Sequence, residues 1–185
     1  MATRAQPLSP DARRASIVAA TLPLLKKHGP SLTTAMIAVA AGVAEGTLFR
    51  AFTDKDEIIQ ETIKSAFDPS PTLQQLAAID RAGSLREKLV AAVFILEQRV
   101  KHVWELVQIL DLKLPAKPEK RPSDQVIRDQ LEELMTGHEH ELRVDKHTAM
   151  RALRAFAFAA THPRISDEPF TTEETVALLL EGIGI

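Results

Sequence analysis

The chain has 185 residues, of which 45% are hydrophobic, and this is enough for one large domain or two small ones. It contains no cysteine, which excludes disulfides and thiol chemistry. It has no run of about 18 apolar residues, the minimum for a transmembrane helix, and its first residues lack the apolar stretch of a secretory signal. These features indicate a cytoplasmic protein.

The net charge of −2 hides an uneven distribution along the chain. Residues 1–55 contain seven Lys and Arg against three Asp and Glu, a surplus of four positive charges. The remaining residues contain 16 basic and 22 acidic side chains, a surplus of six negative charges. A basic N-terminal part on an acidic body is typical of a protein that presents one end to phosphates, although chance alone can produce this balance.

Helical periodicity runs through nearly the whole sequence, and the alternating runs typical of strands are missing. The sequence therefore predicts an all-α fold. The first helix is predicted over Pro10–His28, capped by Ser9 and ended by Gly29. Pro23 removes one backbone hydrogen bond inside this helix, so we expect a bend there.

Two short helices joined by a tight turn are predicted next. The first is capped by Thr33 or Thr34 and ends before Gly42, and the second spans about Ala44–Phe52. Gly42 supplies the backbone freedom that the turn requires, and Ala38 is small where the two helices cross. A helix held in this way can be offered to the major groove of DNA. The apolar residues that fix the crossing are Ile37, Val43 and Leu48.

The run from Ile37 to Lys55, IAVAAGVAEGTLFRAFTDK, resembles the DNA-binding signature of the TetR/AcrR family of bacterial repressors. The shared features are an Ile-Ala pair, Ala-Gly-Val in the turn, Gly-Thr-Leu at the start of the second helix, a following aromatic residue and a downstream lysine. The motif is long and its spacing is fixed, so the signal is specific. The strict resemblance covers residues 10–60.

The resemblance implies DNA contacts for eight residues. Two threonines at a helix N-terminus would bind one phosphate, and a lysine at the start of the next helix would bind another. Arg50 is the best candidate for reading guanine, because its forked donors match the O6 and N7 atoms, although it could be a solvated surface charge. Glu45 either accepts from a cytosine amino group or is merely tolerated. The eight residues are Thr33, Thr34, Glu45, Gly46, Thr47, Phe49, Arg50 and Lys55.

Three residues depart from the family pattern and leave the base contacts open. Ala44 replaces the usual serine and so loses a helix cap worth about 1 kcal/mol. Phe49 replaces a tyrosine and keeps only an apolar contact with the DNA backbone, or else joins the core. Ala51 replaces an aromatic residue or a histidine.

The body is predicted to be a helical bundle around one long central helix. That helix would be about 45 Å long, and its apolar residues surround its axis, so we expect it to be buried. Thr53 and Asp56 form a possible capping box for the helix over residues 54–67. The clearest loop, residues 115–122, contains three prolines. The predicted helices span residues 54–67, 72–80, 85–114, 123–141, 145–161 and 171–182.

The family resemblance returns near the C-terminus, in the segments ALRAFAFAATHP and TTEETVALLLEGI. They are similar to the last two helices of the family, which pair two subunits. A four-helix bundle made from two copies would bury a stripe too apolar for solvent, whereas the alternative is that these helices complete the core of a monomer. The residues expected at the dimer interface are Met150, Leu153, Phe156, Val176, Leu179, Leu180 and Ile183.

In the family, the long central helix and its neighbours enclose an effector cavity. Few polar residues interrupt the apolar runs here, so we expect an effector that is largely apolar. Each candidate lining residue could instead be ordinary core, because large aromatic residues dominate cores. The candidates are Phe67, Phe94, His102, Trp104 and Gln108.

No pattern in the sequence predicts an enzyme, a metal site or a cofactor. His138 and His140 would face nearly opposite directions on a helix and so cannot share an ion. Catalytic Ser/His/Asp groupings, nucleotide loops and paired-carboxylate patterns are missing from the sequence.

The sequence therefore predicts a helix-turn-helix DNA-binding domain over residues 1–55 and a helical ligand-binding and dimerisation domain over residues 56–185. The predicted function is a homodimeric TetR-type repressor, released from a palindromic operator in double-stranded DNA by a largely apolar small molecule, with no membrane partner. Two alternatives stay open. One is a DNA-binding regulator without a small-molecule effector, and the other is a small-molecule-binding protein whose helix-turn-helix is vestigial.

Overall fold

The structure is a computed structural model that describes residues 9–111, 122–162, 165 and 168–183. These residues are mostly helical and contain no strand, which confirms the predicted all-α fold. No single described helix is long and apolar enough to cross a membrane. The helices are α1 Pro10–His28, α2 Thr34–Ala41, α3 Glu45–Ala51, α4 Lys55–Ala66, α5 Ser70–Ala77, α6 Leu85–Ile109, α7 Pro122–Leu134, α8 Lys146–Thr161 and α9 Thr172–Ile183, with 3₁₀ turns at Gly29–Ser31 and Glu139–Glu141.

The chain divides into two compact units. The N-terminal unit extends to Asp68 and also takes in the end of α6 from Glu105, whereas the C-terminal unit holds the rest. All of α4 therefore packs with the N-terminal unit. How helices pack does not show which residues bind DNA or a ligand, so the predicted functional division between residues 1–55 and 56–185 stays a prediction.

The N-terminal unit is built from α1 to α4 around a small core. Ser9 caps α1 by accepting a hydrogen bond from the Ala12 N–H at 3.2 Å, as the sequence predicts. The helix continues through Pro23 and ends at Gly29, whose φ of 51° lies in the left-handed region. The buried apolar residues of this core are Ile17, Leu25, Leu32, Ile37, Ala38, Leu48, Phe52 and Ile58.

The C-terminal unit has a larger apolar core, to which α5 to α9 contribute. Four residues predicted at a dimer interface lie inside this core, and this is a correction. Each is at most 1% exposed, so it has no surface to offer to a second copy. Periodicity marks apolar positions but does not say which face covers the chain's own core. The four residues are Met150, Leu153, Val176 and Leu179.

Two helices of the body are shorter than predicted. Helix α6 ends at Ile109, about 37 Å from its start, because Asp111 adopts a left-handed φ of 46°. Helix α7 ends at Leu134, because Gly137, at φ 85°, turns the chain away from the helical path. The predicted end of α6 at Leu114 and residues 115–121 of the predicted loop lie outside the described residues.

The shorter α7 also changes the setting of two histidines. His138 lies in the turn after α7, where its Nδ1 is 2.5 Å from Glu141 Oε1 and its Nε2 is 3.0 Å from Lys88 Nζ. His140 lies in the following 3₁₀ turn. Neither is on an α-helix, so the nearly opposite directions expected for the two side chains on a helix do not follow for this pair.

Helix α4 begins with a capping pair one residue away from the predicted one. The Asp54 carboxylate accepts from the Glu57 N–H at 2.8 Å, and Glu57 Oε2 accepts from the Thr53 N–H at 2.6 Å. The predicted box of Thr53 and Asp56 is therefore wrong. Asp54 is the stronger cap because its short carboxylate reaches the first orphan N–H groups of the helix.

Candidate nucleic-acid interface

The turn between α2 and α3 sets the geometry of the candidate interface. Gly42 closes α2 at φ 64° and ψ 33°, and the Val43 N–H donates to the Ala38 carbonyl at 3.0 Å. This is the left-handed helix ending that glycine favours. The two helices meet at 95°, within the range of a helix-turn-helix.

Helix α3 is anchored on one face and exposed on the other. Leu48 and Phe52 are buried in the core of the unit. Thr47 is half-buried, whereas Glu45, Gly46 and Arg50 are exposed. Phe49 is 52% exposed, so it does not join the core. The predicted base-contacting residues of α3 therefore share one accessible face.

The start of α2 gathers the predicted phosphate contacts in one place. Thr33 caps the helix by accepting from the Met36 N–H at 3.3 Å, which leaves its own hydroxyl hydrogen to donate. The Lys55 ammonium, from the start of α4, donates to the Leu32 carbonyl at 3.2 Å. The first N–H groups of a helix have no intrahelical partner and favour anions. The Lys55 ammonium is therefore held at the carbonyl of the residue before Thr33, and the phosphate contacts of both residues stay a prediction.

Thr34 is engaged within the protein. Its hydroxyl donates to the Glu45 carboxylate and so ties the start of α2 to the start of α3. The hydroxyl hydrogen is therefore not available to a phosphate unless Glu45 moves. Ala44 caps α3 without any side-chain bond, as expected from the loss of the serine.

Arg14 of α1 holds the other end of α3, and sequence reasoning missed it. Its guanidinium donates to the Ala51 carbonyl, donates to Glu57 Oε1 at 2.7 Å, and lies 4.1 Å from the centre of the Phe52 ring. The planar Arg14 guanidinium thus connects α1 with the end of α3 and the start of α4. Arg14 lies 43 residues before Glu57, so spacing gives no signal of the pair.

Residues 17–62 match the sequence profile of the family described as bacterial regulatory proteins, tetR family. The matched stretch contains α2, the Gly42 turn and α3, which carry the geometry above. Residues 17–62 therefore form a helix-turn-helix domain of the TetR type. This likeness points to DNA as the partner of the N-terminal unit.

Solved structures of regulators share the fold over nearly the whole chain. A TetR transcriptional regulator from Streptomyces coelicolor has a TM-score of 0.57 at 20% identity, with 92% of this chain and 98% of that chain covered. A transcriptional regulator from a Rhodococcus species has a TM-score of 0.57 at 20% identity, with coverages of 96% and 99%. NalD of Pseudomonas aeruginosa, the secondary repressor of the MexAB-OprM multidrug efflux pump, has a TM-score of 0.50 at 20% identity, with coverages of 94% and 98%.

The residues expected to form an effector site are spread over both units. Phe67 and Gln108 belong to the N-terminal unit, and the other three belong to the C-terminal unit. Phe94 is 53% exposed and Gln108 is also exposed. His102 and Trp104 are half-buried, and the Trp104 ring meets the buried His162 ring edge-on at 4.2 Å between centres.

The remaining predicted interface residues differ in their surroundings. Phe156 of α8 is 43% exposed, whereas Leu180 of α9 is half-buried against the core. The Ile183 side chain lies outside the described part of the chain. Leu178 of α9, which the sequence analysis did not select, is also 43% exposed. An exposed apolar surface on α8 and α9 therefore exists, but its residues are mostly not the predicted ones.

We expect the Arg14–Glu57 pair to make stability depend on acid pH. The hydrogen bond from Arg14, followed by those from Thr53, lowers the pKa of Glu57 from 4.5 to about 2. A lowered folded-state pKa means that the pair stabilises the fold above about pH 4.5 and loses this contribution as the pH falls towards 2.

The measurement is the unfolding midpoint of the wild type and of Glu57→Gln across that range of pH. The difference between them should be largest near neutral pH and should shrink towards pH 2. In an Arg14→Gln background, the same Glu57 substitution should have little effect. A difference that is constant with pH would contradict this role of the pair.

Proposed function

We propose that the chain is a homodimeric repressor that binds a palindromic operator in the cytoplasm and leaves it when a small molecule binds. The observation that carries the DNA-binding part is the accessible face of α3, flanked by a phosphate position at the start of α2. The proposal assigns DNA binding to residues 1–55, and effector binding and dimerisation to residues 56–185.

Within the operator, we assign base reading to the exposed face of α3. Arg50 can donate two parallel hydrogen bonds to a guanine, and Phe49 offers apolar contact to a thymine methyl or a sugar. Glu45 keeps one carboxylate oxygen beyond its bond with Thr34, and this oxygen can accept from a cytosine amino group. Gly46 and Thr47 let the helix backbone approach the groove closely.

The dimer part of the proposal is supported by apolar side chains that remain exposed on α8 and α9. Phe156 and Leu178 are each 43% exposed, and Ala155 is exposed beside Phe156. A single helix-turn-helix makes too few phosphate contacts for tight specific binding. A second copy paired through these helices would place two recognition helices about 34–36 Å apart on one face of the duplex.

The effector part is supported by half-buried polar and aromatic residues in the last turn of α6 that belongs to the C-terminal unit. His102 and Trp104 are the predicted candidates that the structure leaves half-buried within the C-terminal unit. A ligand there releases DNA only if it binds the non-binding conformation more tightly than the binding one.

The test is fluorescence anisotropy of labelled duplexes containing the chain's own upstream region, with a scrambled duplex of equal composition as the control. Palindrome-dependent binding should weaken by about 10³–10⁵ between 50 and 200 mM salt if six to ten phosphates are contacted. Equal affinity for the scrambled duplex, or no binding at low salt, would contradict the proposal.

A further inference from the structure

Glu97 is a buried carboxylate in the middle of α6. Glu97 is only 3% exposed. Among the described residues, nothing hydrogen-bonds its Oε1 atom, which is also shielded from solvent. A buried carboxylate oxygen without a donor is unfavourable, and native proteins keep few of them without a functional reason.

The other oxygen of Glu97 has a partner on α9. Glu97 Oε2 accepts from the Thr172 hydroxyl at 2.6 Å, in the first turn of that helix. The partial positive charge of a helix N-terminus adds to this bond. One turn further along α9, the Thr175 hydroxyl is also buried without a hydrogen-bond partner in the described structure. Glu97 Oε1 on α6 and the Thr175 hydroxyl on α9 are therefore two buried polar atoms without a partner among the described residues.

An aromatic side chain lies two turns from Glu97 on the same side of α6. Trp104 follows Glu97 by seven residues, which places it on the same helical face about 10 Å away along the axis. The Trp104 ring meets His162, and His162 in turn lies 4.8 Å from the Phe158 ring. A buried carboxylate can pair with a cationic amine, and an aromatic ring about two turns away can pack on the apolar part of the same ligand.

We propose that the effector of this regulator carries a cationic amine on an apolar body, with the amine paired to Glu97 and the apolar body against Trp104. This inference rests on the proposed function and names the chemical class of its effector. Thr175 would accept or donate a further hydrogen bond beside the amine. The expectation of a largely apolar effector is thereby narrowed to an amphipathic cation.

The burial of Glu97 also gives the ligand a means of changing the protein. Because Oε1 is shielded from solvent, an amine reaches it only when the first turn of α9 or the Glu97 side chain moves. The ligand therefore stabilises a conformation different from the ligand-free one, and this preference is what a population shift requires. A neutral apolar ligand lacks the charge that would favour that conformation.

The experiment uses three matched probes on the full-length protein at neutral pH: 4-phenylbutylamine, 4-phenylbutanol and 4-phenylbutyrate. Trp104 is the only tryptophan in the chain, so its fluorescence reports binding at the proposed site directly. The wild type should bind the amine at least about tenfold more tightly than the alcohol, with the butyrate weakest.

Glu97→Gln keeps the shape of the side chain and removes its charge. This variant should bind the amine and the alcohol within about twofold of each other, while Glu173→Gln, an exposed change in the first turn of α9, should keep the wild-type preference. Retention of the preference by Glu97→Gln overturns the inference. Equal binding of amine and alcohol by the wild type also overturns it, even if the variant fails to fold.

A separate readout distinguishes this inference from the proposed function. Operator release is followed by anisotropy in the presence of each probe. Amine binding that depends on Glu97 but leaves the operator bound overturns the inference, because the amine is then not an effector, and it leaves the DNA-binding part of the proposed function intact. Operator release by the alcohol, without any preference for the amine, supports an effector and overturns the inference.

Discussion

Phe156→Glu is expected to convert the proposed homodimer into a monomer and to lower operator affinity by about a hundredfold or more, because joining two binding modules raises avidity by roughly 10²–10⁴. Phe156 is 43% exposed in the single chain, so a charge there costs little in the monomer. In the dimer, the same charge would be buried against an apolar surface without a partner.

The measurements are the molar mass by light scattering and the operator affinity of the same preparation. Val126→Glu on α7 is the matched control, because Val126 is 44% exposed and receives the same charge on a helix outside the proposed interface. It should stay dimeric. Met150→Glu, by contrast, should prevent folding because Met150 is fully buried. If the Phe156→Glu variant is dimeric and the Val126→Glu variant is monomeric, the dimer interface lies on α7 and not on α8 and α9.

The contrast between Phe156 and Met150 marks what the sequence can predict. Both lie on α8 at apolar positions with helical spacing, and periodicity alone treats them alike. Which of them covers the core depends on where α9 packs, and that is a property of the folded chain. The existence of α8 and its Asp145 cap are local, because the Asp145 carboxylate accepts from the Thr148 N–H three residues later.

The same division holds at the DNA end. The Gly42 turn and the Thr33 cap follow from residues next to each other in the chain, and the sequence predicts both. The bonds of Thr34 with Glu45 and of Arg14 with Glu57 join residues 11 and 43 positions apart. Such pairs depend on the packed helices, so spacing does not predict them, although they decide which donors remain for DNA.

Glu97 is an intermediate case. Glu97 is one of three acidic residues of α6, and the sequence does not show which of them is buried, because exposed acidic residues occur on most amphipathic helices. The structure adds that Oε1 is buried and unpartnered. The burial of this unpartnered oxygen changes the expected effector from a largely apolar molecule to one that carries a cationic amine.

Arg50→Ala is expected to cost about 1–3 kcal/mol of operator binding and to relax the sequence preference at one base pair of each half-site. Arg50 is exposed on the accessible face of α3, and its loss leaves the core residues Leu48 and Phe52 unchanged. A bidentate contact with guanine contributes to specificity because no other base pair presents the same two acceptors in the major groove.

The measurement is the affinity of wild type and variant for the operator and for duplexes with each half-site base pair changed in turn. Arg86→Ala, an exposed arginine of α6 in the C-terminal unit, is the control and should bind every duplex as the wild type does. Loss of affinity confined to the cognate duplex would identify Arg50 as a base reader. A uniform loss across all duplexes, with a salt slope reduced by about one, would instead make Arg50 a phosphate contact. In that case Glu45 and Phe49 would carry the base reading of α3.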